Sequence, residues 1–299
     1  MIKVAIVGGS GYVGNILLKI LLNHEYVDVK IVTSTSQTGK KICEVFPEIE
    51  NELVLSKFNY KEINKMDVVF LAVPHGKAKS IVPKLKCKII DFTSDHRLTE
   101  IYGLPEIFGK KIKESKFIAN PGCYASACIL ATYPIQDLIK YTVFDCISGY
   151  SGGGNAAKYK YQENIIAYKL SNHFQIKELS NILNFNFSFT PHVVNTFSGL
   201  MCTAHIFLNN KIKLDKIINQ YKEYYKDSFT KIIDSIPSTK NVVNTPYCNI
   251  GGFELDKNNQ LVIVSVIDNL YKGAATQAIE NMNLMFKLDH KEGLKHFVV

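Results

Sequence analysis

The 299-residue sequence has no tryptophan, an absence with no chemical consequence. It also has no apolar run long enough to cross a bilayer, which argues against a membrane-spanning helix. Arginine-rich runs and alternating aromatic and basic residues are missing too, so nothing marks a nucleic-acid module. Seven cysteines lie at positions 43, 87, 123, 128, 146, 202 and 248. None is paired at CxxC or metal-knuckle spacing, so no metal site is expected. Their odd number and scatter indicate free thiols in a reducing compartment, most of them buried as small apolar residues. The chain opens directly on a strand-like run, Ile2 to Val7, so the expectation is no signal peptide and a cytoplasmic protein.

Positive charge is in excess. Lys and Arg number 35 against 27 Asp and Glu, giving a formal net charge of +8. Such a balance can attract nucleic acid, anionic membranes or anionic small molecules. Here the lysines are spread along the chain, often beside Ile and Asn, as on a solvated surface. This looks like compositional bias, and neither nucleic acid nor a membrane is the expected partner.

Near-continuous apolar strands alternate with helical spacing in the first third. Strands are predicted at 2–7, 27–32, 67–73, 87–92 and 116–119, and a helix at 12–23 carries Val13, Ile16, Leu17, Ile20 and Leu21 on one face. This pattern predicts an α/β fold whose N-terminal domain is a Rossmann-like, doubly wound parallel sheet. After Pro121 come a helix from Cys123 to Tyr133, long strands with fewer helices, and a hairpin at Asp256 to Asn259. That pattern predicts an α+β catalytic and oligomerisation domain. A closing helix is predicted at 274–286. The expected division is a cofactor domain at 1–121 plus a returning segment from about 269 to 299, with 122–268 as the second domain.

Gly8, Gly11 and Gly14 form a G-x-x-G-x-x-G turn between the first strand and the first helix, together with Gly9 and Ser10. Glycine there permits a tight turn and lets backbone N–H groups approach a pyrophosphate, while the helix opening at Tyr12 and Val13 turns its positive end toward that anion. Where an NAD site usually carries an acid, the second strand ends in Thr33-Ser34-Thr35-Ser36, followed by Lys40 and Lys41. Hydroxyls and lysines suit a ribose 2′-phosphate, so NADP is the expected cofactor, with Ser34 and Thr35 as contacts.

Asn120-Pro121-Gly122-Cys123-Tyr124 places a thiol at a strand-to-helix break. Exposed N–H groups and the helix macrodipole both favour the thiolate there, which makes Cys123 the candidate nucleophile. Cys128, five residues on, is expected to be an inert core thiol.

The motifs GGSGYVG (8–14), SDHRL (94–98), YGLPE (102–106), NPGCY (120–124), SGYSGGG (148–154), FTPHVV (189–194) and DNLYKGAATQAIENMNLMF (268–286) occur in this order over nearly the whole chain. In this the sequence resembles the N-acetyl-γ-glutamyl-phosphate reductases of arginine biosynthesis, relatives of the aspartate-semialdehyde dehydrogenases. The family usually has Phe where His96 stands. The resemblance implies that Cys123 attacks an acyl phosphate, that a thioester forms, and that NADPH reduces it to an aldehyde. It implies cofactor contacts from Ser151, Gly152 and Asn269, and substrate contacts from Arg97, whose planar fork suits an oxyanion, and His192. It further implies a homodimer or homotetramer.

The family usually shows H-x-H followed after two residues by Glu, and the second His is its acid/base. This chain reads His173-Phe174-Gln175-Ile176-Lys177-Glu178, and glutamine cannot transfer a proton at neutral pH. The acid/base role is therefore expected at His173, with His192 or impaired activity as the alternatives; His75, after the strand at 67–73 and Pro74, is expected near the cofactor edge. Two further readings stay open. One is the aminoadipyl analogue of lysine biosynthesis, whose substrate amino group can be attached to a carrier protein. The other is a catalytically impaired, cofactor-binding regulatory protein.

Overall fold

The computed structural model describes residues 1–154 and 163–297. In chain order the strands are β1 (Ile2–Val7), β2 (Val27–Thr33), β3 (Val68–Leu71), β4 (Lys88–Asp91), β5 (Ile101–Tyr102), β6 (Phe117–Ala119), β7 (Ile139–Gly149), β8 (Ile165–Ala167), β9 (Asn186–Val194), β10 (Leu200–Leu208), β11 (Thr230–Ile232), β12 (Cys248–Leu255) and β13 (Gln260–Ile267). The helices are α1 (Tyr12–Leu21), three single turns α2 (Ile42–Val45), α3 (Tyr60–Ile63) and α4 (Ala78–Ile81), then α5 (Pro105–Glu114), α6 (Cys123–Thr132), α7 (Gln175–Ile182), α8 (Leu214–Tyr224) and α9 (Thr276–Met285).

The chain forms two compact units, one of residues 1–121 and 274–299, the other of residues 122–273. In the first, six strands run in the order β2-β1-β3-β4-β6-β5, and every neighbouring pair is parallel. The four residues of β3 are all fully buried, which explains why the sequence reads there as an unbroken apolar run. Helix α9 belongs to this unit and packs on α5 and β4. It shows little amphipathic signal because all ten of its residues are buried. Some of its polar groups are paired inside: Asn281 Nδ2 donates to Gly103 O at 2.9 Å and Asn120 Oδ1 at 3.0 Å, and Glu280 lies 3.1 Å from His290 Nδ1, whereas Thr276 Oγ1 and both amide atoms of Gln277 make no hydrogen bond among the described residues.

The second unit is a seven-stranded mixed sheet, β11-β12-β13-β10-β7-β9-β8. The β7/β9 and β11/β12 pairs are parallel and the rest antiparallel. Helix α6 packs on β10 and β13 and is buried from Tyr124 through Thr132. Strand β10 alternates strictly between buried and partly exposed residues, so one face of the sheet supports α6 while the other carries Met201, Thr203, His205 and Phe207.

The chain leaves this unit between Gly273 and Ala274, later than the 268/269 boundary expected from sequence. The intervening residues are tied inside the second unit. Buried Asp268 accepts from the amides of Leu270 and Tyr271 through one oxygen and from that of Asn244 through the other. A π-helical turn, Tyr271–Ala275, then leads into α9.

Candidate active site

In the first unit the glycine turn is shaped by close packing. Gly8 has φ +85°, and a Cβ on it would lie 2.2 Å from Ala72 O. A Cβ on Gly14 would lie 2.4 Å from Gly9 O. Gly11 differs, because a Cβ there would meet nothing nearer than Gly8 O at 3.9 Å. Glycine at 11 therefore leaves open space beside the start of α1, where Gly11 is an N-cap with no side-chain capping bond and Tyr12, Val13 and Gly14 form the first turn. That cradle fits the pyrophosphate of a dinucleotide.

A cleft of about 580 Å³ opens next to the turn, lined among others by Gly8, Ser10, Ser34, Thr35, Lys57 and Lys77. The Ser10 and Ser34 hydroxyls are 2.8 Å apart. Lys40 and Lys41 are not part of this lining, and Lys41 Nζ instead pairs with Glu52 at 2.9 Å. The cations at the cleft are Lys57 and Lys77, more than twenty residues beyond the end of β2. No carboxylate appears among its described lining residues. No sequence signal near the glycine turn marks either lysine, since only the sheet order brings their segments to β1 and β2.

Arg97, the only arginine in the chain, is buried in this unit. Its Nε donates to Asn120 O at 2.8 Å and one terminal nitrogen to Phe92 O at 2.7 Å, so it braces the segment leading to the Asn120-Pro121-Gly122 turn. His75 Nδ1 accepts from Ser94 N, and His96 Nδ1 lies 2.7 Å from Asp91 Oδ2.

In the second unit Cys123 is half-buried and is the first residue of α6, with Gly122 as a side-chain-less N-cap and no acid in the first turn. Gly273 packs directly on it, since a Cβ there would lie 2.7 Å from Cys123 Cβ. Two side chains of α7 reach the same turn. Gln175 Oε1 accepts from Ala125 N at 2.8 Å, and Glu178 Oε2 accepts from Gly122 N at 3.0 Å.

His173 stands just before α7 in an aromatic cage. Phe174 stacks on it at 4.7 Å between ring centroids, with Tyr168, Phe189 and Tyr124 at 5.5, 5.5 and 5.7 Å. Burial, with the charge of Lys169 adding to it, pulls its pKa down to about 4. Its Nδ1 accepts from Gln175 N at 3.3 Å, so the neutral ring carries its proton on Nε2. In this environment the His173 ring is neutral near pH 7, with Nδ1 accepting a bond and the proton on Nε2. His192 is bound into the sheet, with Nδ1 3.2 Å from Cys146 O and its carbonyl accepting from Tyr124 Oη at 2.7 Å.

The adjacent Ser151 and Gly152 meet the distant Asn269 in this unit. Asn269 Nδ2 donates to Ser151 Oγ at 2.9 Å, its Oδ1 accepts from Gly199 N at 2.9 Å, and a Cβ on Gly152 would lie 3.7 Å from Asn269 Nδ2. Where α6 meets the sheet, Cys128 Sγ on the helix lies 3.6 Å from both Cys146 on β7 and Cys202 on β10. Burial pushes the Cys128 and Cys146 thiols up, so these pack as neutral core groups.

This pairing of a parallel glycine-turn unit with a mixed-sheet unit bearing a helix-end thiol has counterparts among known proteins. Residues 3–115 match the semialdehyde dehydrogenase NAD binding domain, and residues 123–269 match the semialdehyde dehydrogenase dimerisation domain. The chain belongs to the semialdehyde dehydrogenase family. Aspartate semialdehyde dehydrogenase II of Vibrio cholerae, complexed with ASA, superposes with a TM-score of 0.80 at 20% identity, over 96% of this chain and 98% of that one. The Candida albicans enzyme with NADP gives 0.75 at 15% identity over both full lengths. Within the family the chain groups with the N-acetyl-γ-glutamyl-phosphate reductases. It is 39% identical to that of Methanococcus maripaludis and 37% to that of Methanocaldococcus jannaschii, in each case over 98% of both chains. No helix among the described residues is long and apolar enough to cross a membrane.

Proposed function

We propose that the protein reduces N-acetyl-γ-glutamyl phosphate to N-acetylglutamate semialdehyde and phosphate in arginine biosynthesis, through a thioester on Cys123. The observation that carries this reading is the near-full-length likeness to N-acetyl-γ-glutamyl-phosphate reductases, joined to a thiol at the start of α6. The Cys123 thiolate attacks the acyl carbon; a C–S bond forms, the bond to the phosphate oxygen breaks, and phosphate leaves. When bound, NADPH supplies the hydride that the thioester carbon receives. The C–S bond then breaks, releasing the aldehyde and restoring the thiolate. The single proton consumed ends on phosphate, which takes it from water. The chain therefore needs a thiolate and donors for the carbonyl oxygen, and no histidine of ordinary basicity. Backbone amides at the start of α6 and the Nε2–H of neutral His173 are the assigned donors.

The cleft supports NADP over NAD: Ser34, Thr35, Lys57 and Lys77 offer hydroxyls and positive charge, and no described lining residue is acidic. The glycine turn from Gly8 to Gly14 holds the pyrophosphate. Ser151, Gly152 and Asn269 are assigned to the nicotinamide end, His192 to substrate, and Arg97 to bracing the turn before Cys123. The dimerisation-domain match supports a homo-oligomer, and we assign its contact to the sheet face bearing Phe207 and Ile147, each about 40% exposed. The deciding assay is phosphate-dependent NADP reduction with N-acetylglutamate semialdehyde and its one-methylene-longer analogue. Turnover with neither, or a preference for the longer substrate, would overturn the assignment.

A further inference from the structure

Helix α6 begins without a side-chain cap of its own. In a capping box, the N-cap side chain accepts from the amide three residues on, and a Glu or Gln at that third position reaches back to the N-cap amide. Gly122, the N-cap, has no side chain, and the third helical residue, Ala125, carries only a methyl group. Both bonds are nevertheless present, made by a different helix: Gln175 Oε1 takes the Ala125 amide at 2.8 Å, and Glu178 Oε2 takes the Gly122 amide at 3.0 Å.

We propose that Gln175 and Glu178 form a capping box in trans that sets the geometry of the nucleophile turn, making Gln175 a positioning residue where relatives of this type are expected to carry a proton-transferring histidine. This rests on Cys123 being the nucleophile. The fit is close on two sides. A Cβ on Gly122 would lie 2.3 Å from Gln175 Cδ and 2.7 Å from its Nε2, so the amide lies flat on Gly122 and residue 122 must be glycine. Gln175 and Glu178 are both nearly fully buried, so the acceptors are held in place. The box occupies the amides of residues 122 and 125 and does not use those of Cys123 and Tyr124, which flank the reacting sulfur. The neutrality of Gln175 is part of the design. Glu178 already brings one carboxylate to this helix end, where the macrodipole favours an anion. A second carboxylate would compete with the thiolate by like-charge repulsion, whereas an amide oxygen caps without doing so.

The test uses the full-length protein with Gln175→Met, which keeps length but loses the acceptor, and Gln175→Glu, which keeps an acceptor and adds charge. Amide hydrogen exchange at Ala125, the pH dependence of site-resolved Cys123 alkylation, and turnover are measured, with far-UV circular dichroism confirming that each variant folds. Gln175→Met should exchange Ala125 at least about tenfold faster and lose about tenfold in turnover, the loss expected of one helix cap. Gln175→Glu should keep Ala125 protected, while its alkylation curve moves to higher pH and activity recovers as pH rises. Unchanged Ala125 exchange in Gln175→Met, or an unshifted alkylation curve in Gln175→Glu, would overturn the proposal. If wild-type Cys123 forms no acyl adduct without NADPH, the nucleophile assignment fails, and Ala125 exchange still reports on the cap by itself.

Discussion

The caged His173 makes a definite demand on the pH dependence of stability. Its folded pKa of about 4 lies well below the ordinary 6.5. An unfolded chain takes up a proton at this ring as pH falls through 6.5, while the folded chain refuses it until about pH 4. The ring's contribution to stability is thus fully present above 6.5 and is lost as pH falls from there toward 4. At about 1.4 kcal/mol per unit, the loss has a ceiling of about 3 kcal/mol. Other groups titrate over the same range, including His24, whose pKa burial also lowers. The measurement is therefore a difference between the wild type and His173→Phe, which keeps an aromatic ring in the cage and removes the titration. Urea unfolding followed by far-UV circular dichroism at pH 7.5 and 4.5 suits a protein without tryptophan. Between those values the wild type should lose about 2–3 kcal/mol more than the variant. Parallel losses would show that His173 is not held neutral by its cage and would remove the basis for assigning it a donor role.

Cys123→Ser should abolish phosphate-dependent turnover and leave NADPH binding, followed by fluorescence titration, within about twofold, because a serine hydroxyl is far less acidic than a thiol; retained turnover would refute the thioester. Lys57→Ala with Lys77→Ala should raise KM for NADPH about tenfold or more and leave that for NADH nearly unchanged, as each charge-assisted hydrogen bond is worth about 1.5–3 kcal/mol; equal effects on the two cofactors would show that these lysines do not read the 2′-phosphate. Gly273→Ala should slow Cys123 alkylation and lower kcat, since its new methyl would start 2.7 Å from Cys123 Cβ; wild-type kinetics in that variant would mean the turn relaxes freely.

Local chemistry sufficed to place the glycine turn, the apolar strands of the first unit, the helix starting at Cys123 and the hairpin at Asp256. Each is dictated over a few residues: a φ only glycine adopts cheaply at Gly8, a buried strand with no polar face at β3, a chain break before a helix at Pro121-Gly122. The strand β5 carries no comparable signal for lack of length, and the capping that α7 gives to α6 is not legible because its two halves lie some fifty residues apart. Long-range placement alone decided the rest. The cations at the cleft are Lys57 and Lys77 rather than Lys40 and Lys41, because the order β2-β1-β3 sets the segment before β3 and the loop after it beside the glycine turn. The boundary falls after Gly273, because Asp268 and Asn269 spend their hydrogen bonds inside the second unit. The residue types at 173 and 175 could be read in the sequence, but their roles could not. A pKa depends on the surrounding dielectric and a cap on a neighbouring helix, and only the folded chain supplies the aromatic cage around one side chain and the open end of α6 beside the other.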